Sequence, residues 1–413
     1  MRESAGTLVR EAQPASPTRR QRAWQRLHVA APVLVVAVLL LLTARGQYFK
    51  HGYQGLVGFA AVGSVYGDTI GVRRGAVGTI GYDGQFYYYL ALRPDLVVTC
   101  AETNTACPLD NLREMRVERI LYPMTVRLLA LGQPGLIPFA LLLVNFLAIL
   151  LTVWLVSRLC LAAGASRWLG AAAGLFTGEV LAFVRDLADP FAVMWLVLSV
   201  YLARTRRWYW SAAAVAAALL AREQLILMLP LLALPLIAQR RWPTLAICAA
   251  IALVPFAAWQ VTLRVLYGAW ALLNGDTHIA GLVPIPFVGL WQARSTDNFK
   301  ELALSVAVPM VVALAIAVLA LRRDGLRSLL TDPVPAMVLI YTLLMTLISR
   351  LQWVDIWGPG RLAAPGVVLA VVVATRVARP LCTTYALLLA APTVLVLLTN
   401  LSFVFGAHPS VLR

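Results

Sequence analysis

The residues with chemistry to offer lie in a few short stretches. Gly81-Tyr82-Asp83-Gly84-Gln85-Phe86-Tyr87-Tyr88-Tyr89-Leu90-Ala91-Leu92-Arg93-Pro94 sets one carboxylate beside a run of aromatic side chains. From Gly84 to Leu92 it reads as a short helix ended by Arg93-Pro94, with Asp83 at its N-terminus. Two roles are open to Asp83. One is a helix cap, worth ~1 kcal/mol, in which case Asp83→Asn changes folding little. The cap does not account for the aromatics that ring it, in a tyrosine-rich helix of the kind that favours a membrane interface, which leaves a functional carboxylate as the other role. Next, Arg116-Val-Glu118-Arg119-Ile-Leu-Tyr122-Pro123 puts two arginines about one helical turn apart, before an apolar run too short to span a bilayer. A planar guanidinium donates two bonds at once to a phosphate; the alternative is snorkelling to headgroups.

Three further places carry charge where apolar sequence surrounds it. In Arg185-Asp186-Leu-Ala-Asp189-Pro190 the Asp-Pro step marks a helix start, so Asp189 reads as a cap. That leaves Asp186 without a structural reason. Arg222-Glu223 interrupts two apolar runs, and Glu179 sits inside another. Ionisable groups at membrane depth default to function, although Arg222 and Glu223 also read as a mutual salt bridge. Arg350 and Arg361 flank the Trp353/Trp357 loop, either as interfacial anchors or as further cations of one cavity. No G-x-x-x-x-G-K-[ST], H-E-x-x-H or G-x-S-x-G occurs, and the four histidines are scattered. An ATP-driven pump, a metalloprotease and a serine hydrolase are all disfavoured. What remains is chemistry by carboxylate and arginine.

The elements that must hold these groups follow from composition. Of 413 residues 61% are hydrophobic and 13% charged, where a soluble domain has nearer a quarter charged. Such an apolar excess cannot hide in one core, so the chain reads as a polytopic membrane protein. The net charge of +16 comes almost wholly from arginine. These arginines fall in clusters between apolar runs: Arg19 to Arg26, Arg204 to Arg207, Arg240-Arg241, Arg322 to Arg327, Arg376 and Arg379. That is the positive-inside pattern, not a nucleic-acid patch. Apolar segments are placed at 28–44, 136–160, 168–184, 190–203, 210–221, 224–238, 243–266, 302–321, 334–349, 362–375 and 382–405. About eleven crossings put every cluster on the cytosolic side, with the N-terminus cytosolic and the C-terminus extracytosolic. Residues 1–27 read as a disordered cytosolic tail ahead of a retained first helix, and 28–413 as one transmembrane domain with an extracytosolic loop, 45–133. Cys100 and Cys107, in that loop, are close enough in sequence to form a disulfide.

At this point a family resemblance appears. Tyr82-Asp83-Gly84-x-x-Tyr87-x-x-Leu90-Ala91 resembles the aromatic-Asp-small signature in the first outer loop of GT-C membrane glycosyltransferases. It is most like the mannosyltransferases of glycosylphosphatidylinositol assembly and their bacterial relatives. The later order is similar too: Arg119-x-x-Tyr122-Pro123, then Arg185-Asp186-x-x-Asp189-Pro190, then Arg222-Glu223 in a broken hairpin. The likeness covers roughly residues 30–240. Many members place their aspartate nearer the first helix, which makes Asp68 the alternative to Asp83.

The resemblance implies an all-α polytopic bundle of GT-C type in a bacterial plasma membrane. It implies transfer of a sugar from a polyprenyl phosphate to a lipid or glycan acceptor hydroxyl on the extracytosolic face. Asp83 would be the catalytic base. Arg116, Arg119, Arg222, Arg350 and Arg361 would hold the donor phosphate, with Tyr87, Tyr122, Asp186 and Glu223 in support. No cofactor is required, a divalent metal is left open, and membrane lipid but no nucleic acid is a partner. A lipid or polysaccharide-precursor flippase and a non-catalytic envelope assembly protein are the rival readings; an internal repeat would favour the first, and none is visible.

Overall fold

Apolar runs of different lengths become helices of different lengths, and the short ones survive because of what surrounds them. The computed structural model describes residues 30–45, 82–102, 109, 113–273, 282–355 and 358–399. The 1–27 segment, Asp68 and Cys107 lie outside the described residues. Among the described residues four helices are long and apolar enough to cross a bilayer: Pro134–Ala162, Trp242–Tyr267, Phe299–Asp324 and Arg379–Val396. Shorter apolar helices are Ala30–Arg45, Trp208–Ala221, Glu223–Ala238, Val334–Thr346 and Gly358–Ala374. Among the described residues there is no strand, and one isolated antiparallel bridge joins Leu282 to Ile348. The all-helical, membrane-type architecture is the one composition predicts.

Gly358–Ala374 is the hub. Every one of its 17 residues is buried, packed by Val334–Thr346, Val308–Asp324, Thr177–Phe183 and Asp189–Arg204. Helices that cannot span alone are tolerated where protein covers them. Close approach is possible because small residues meet. A Cβ on Gly178 would lie 2.2 Å from the Gly360 carbonyl oxygen, and one on Gly360 3.1 Å from the Gly178 Cα. Small residues let backbones touch where no hydrophobic force pulls helices together. Gly178→Val is therefore expected to cost at least ~1–3 kcal/mol and to displace the helix end that carries Arg361. Thermal unfolding in detergent checks this. Gly135→Ala, whose new Cβ would meet nothing within 4 Å, is the control that should leave the midpoint unchanged.

Two breaks matter for the site. The run 168–184 is not one helix but two, Trp168–Gly174 and Thr177–Phe183. Phe176 turns extended between them, at φ −56° and ψ 131°. Gly174 and Gly178 flank the break, and glycine weakens a helix interior. The hairpin breaks where expected: Arg222 is extended at φ −155° and ψ 103°, after Trp208–Ala221. A 3-10 segment, Glu223–Met228, then leads into Leu229–Ala238.

Charge gathers at two opposite ends. At one end Arg204 pairs with Asp332 at 2.5 Å and Arg376 with Asp324 at 3.3 Å, Arg376 also reaching Asp332. The helix that ends in Arg204 begins at Asp189. At 1.5 Å per residue, that start is roughly 22 Å away. Arg361 and Arg376 bracket the hub helix in the same way.

Candidate active site

Two segments distant in sequence converge on Asp83. Arg116, in the last turn of Arg113–Glu118, donates from Nη1 to Asp83 Oδ1 at 2.6 Å. Arg361, one turn into the hub helix, donates from Nη1 to Oδ2 at 2.7 Å. The three side chains are 10–14% exposed. Both guanidiniums also lie over aromatic faces: Arg116 is 4.2 Å from the Phe86 ring centroid, and Arg361 is 5.4 Å from that of Tyr82. A buried cation gains from such a face. The aromatics around Asp83 thus seat its arginines.

This corrects the capping role for Asp83. Its side chain makes no capping hydrogen bond to Gly84–Leu92, because both oxygens are taken by arginine. Phe86, Tyr87, Leu90 and Ala91 are all buried against protein. Burial by itself raises the Asp83 carboxyl. Arg116 and then Arg361 outweigh it and hold the group well below the usual carboxylate range. The neighbouring Tyr82 hydroxyl donates to Asp355, which ties the segment after Arg350–Val354 to the same place.

No protein-family model, curated protein or solved structure matches this chain.

Deeper in the bundle, Arg119 forms a two-pronged pair with Glu223, Nε to Oε2 at 2.9 Å and Nη2 to Oε1 at 2.8 Å. Its Nη1 donates to the Tyr87 hydroxyl at 3.3 Å. With 5% of Arg119 and none of Glu223 exposed, the snorkelling reading of Arg119 falls. Arg222 Nη1 lies 3.1 Å from Asp189 Oδ1. Two expectations are corrected together. Asp189 is not a cap, since the position before its helix is Ala188 and its carboxylate turns to Arg222. Arg222 and Glu223 do not pair with each other, because extended backbone at the break sends successive side chains to opposite sides.

Tyr122 stands edge-on to Tyr87, with ring centroids 5.4 Å apart. Its hydroxyl accepts from Asn145 Nδ2 at 2.8 Å and donates to the Leu141 carbonyl at 3.3 Å. Asn145 also donates to the Leu187 carbonyl at 3.0 Å, holding the turn that contains Asp186. Asp186 has a left-handed φ of 48° and is fully buried, with neither carboxylate oxygen hydrogen-bonded. Burial pushes its carboxyl well up, and Arg185 offsets this only in part. Glu179 is buried with both oxygens likewise unbonded.

The cluster thus gathers Asp83, Arg116, Arg119, Arg222, Arg361, Tyr87, Tyr122 and Glu223, with Asp186 beside them. Arg350 stands apart, exposed at the start of Arg350–Val354. Arg361 is no loop anchor, being 9% exposed within the hub helix. Sequence reasoning missed Asp355, Asn145 and the Gln260–Glu118 hydrogen bond of 2.6 Å. A lone amide inside the apolar run 136–160 was the available signal for Asn145; nothing distinguished Asp355. Cys100 is disulfide-bonded, and Cys160, Cys248 and Cys382 are free. Among the described residues no group of His, Cys, Asp and Glu has the arrangement to hold a metal ion.

Arg119 and Arg222 are each matched by one carboxylate, Glu223 and Asp189. Asp83 faces two guanidiniums, those of Arg116 and Arg361.

Proposed function

We propose that this chain is a GT-C type membrane glycosyltransferase that moves a sugar from a polyprenyl phosphate to an acceptor hydroxyl. The observation that carries the reading is one carboxylate bracketed by Arg116 and Arg361 in a shielded site. In the transfer, the acceptor oxygen forms a bond to the anomeric carbon as the bond from that carbon to the phosphate oxygen breaks. Asp83 accepts the hydroxyl proton. The electron pair leaves with the prenyl phosphate, whose charge the arginines stabilise. One carboxylate suffices, unlike the paired acids of a glycosidase, and no nucleotide loop is needed.

Charge placement supports the orientation. The end bearing Arg204, Arg323 and Arg376 is cytosolic by the positive-inside rule, which puts Asp83 on the extracytosolic face of a bacterial plasma membrane. On this reading the chain crosses about eleven times. The acceptor is a lipid or glycan, and the reaction requires no cofactor. Purified protein incubated with a panel of polyprenyl-phosphate sugars should release prenyl phosphate from one of them, faster when acceptor is added. No release from any member, with the protein shown to be folded, overturns the reading.

A further inference from the structure

We infer that Asp83 is the resident anion of the donor's phosphate site, and that an arriving phosphate displaces it and so releases the base. The inference rests on the transferase reading for the identity of the donor, while the competition itself rests on geometry. Arg116 and Arg361 each use an Nη1 donor on a separate oxygen of Asp83, at 2.6 and 2.7 Å. A phosphate seated on the same two guanidiniums would stand beside the carboxylate, and the repulsion between the two anions weakens the hold on both. A carboxylate with both oxygens so held is also a poor acceptor for a hydroxyl proton.

The neighbouring carboxylates cannot play this part. Glu223 is wholly buried under a two-pronged arginine, and Asp189 is 4% exposed. Pushing either aside would strand a charge inside the bundle, which is costly. Asp83 is 14% exposed and caps nothing, so leaving the arginines breaks no helix bond. A second observation points to the incoming ligand. Arg361 is 9% exposed, yet its Nε is buried without a hydrogen-bond partner. A single aspartate oxygen on Nη1 leaves that edge of the guanidinium unfilled. A phosphate, with more oxygens, can take the planar fork in full.

Order of binding follows: the donor seats first, and only then is Asp83 able to take the acceptor's proton. The test is binding of inorganic phosphate and of farnesyl phosphate to the full-length chain and to Asp83→Asn, by calorimetry and thermal shift. Removing the competing anion should tighten both by ~10-fold or more, because the free state no longer masks the site. Arg361→Gln in the same background should abolish the gain. Equal or weaker binding by Asp83→Asn overturns the inference. Should that variant not fold, carbodiimide labelling of the wild-type chain decides: saturating phosphate should raise labelling of Asp83 severalfold, and unchanged labelling overturns it. Farnesyl phosphate should bind more tightly than inorganic phosphate; equal binding overturns a lipid-linked source. Tighter binding by Asp83→Asn without sugar transfer in the wild type would uphold the displacement and defeat the transferase reading, so the two fail separately.

Discussion

On the proposed transferase reading, Asp83→Asn should transfer sugar ~10²–10⁴-fold more slowly than the wild-type chain, the loss expected when a positioned base is removed. It should also be less stable, contrary to what a capping role predicts. The amide leaves Arg116 and Arg361 without the carboxylate they share. Stranding a charge by removing its buried partner costs ~3–5 kcal/mol, and at 10–14% exposure the low end applies. The pH dependence has a definite sign. A carboxyl held below its unfolded value stabilises the fold above the ordinary carboxylate range and loses that effect only as pH falls through its folded value. The stability gap between wild type and Asp83→Asn should therefore be flat between about pH 5 and 8 and close only in stronger acid. Thermal unfolding across pH, with the transfer assay run well below the mutant's midpoint, separates the two effects. Near-full activity in Asp83→Asn, with loss in Asp68→Asn, would move the base to Asp68.

Glu223→Gln should have the largest effect on stability, ~3–5 kcal/mol. It leaves Arg119, 5% exposed, with the Tyr87 hydroxyl as its remaining described acceptor. Replacing both partners, Arg119→Met with Glu223→Leu, should recover most of that loss, because the cost lies in the orphaned charge more than in the lost attraction. A double-mutant cycle read by chemical or thermal unfolding measures the coupling. If Glu223→Gln melts like the wild type, the pair does not lock the hairpin break to the segment before Tyr122.

The sequence made the charged positions visible but not their partners. Arg222 and Glu223 stand out because they interrupt apolar runs, and the break falls on Arg222 as expected. What each would bind depended on Asp189 and Arg119, 33 and 104 positions away. Local signals also gave the wrong role where a familiar pattern competed. Asp-Pro at 189–190 fits a helix start, and it is one, yet the carboxylate serves Arg222. Arg361 looked like a loop anchor because its helix appeared to begin at 362; the helix begins at Gly358 and carries the arginine inward. Helix positions were legible from hydropathy, since apolar length is a local property. Contacts across 278 residues, such as Arg361 with Asp83, are fixed by packing.

The wholly enclosed Gly358–Ala374 helix bears on how the protein is made. Once folded it meets no lipid, but when it emerges from the ribosome its last cover is still unsynthesised. That cover is Arg379–Thr399, whose Tyr385 hydroxyl donates to the Val367 carbonyl at 2.9 Å. A 17-residue segment carrying Arg361 and Pro365 is a weak substrate for autonomous membrane insertion. Its entry into the bilayer must lean on the helices already made, and its cover is complete only once Arg379–Thr399 follows. Lesions in this helix, or loss of Arg379–Thr399, should therefore surface as quality-control degradation and low abundance in the cell, before any functional defect can be measured.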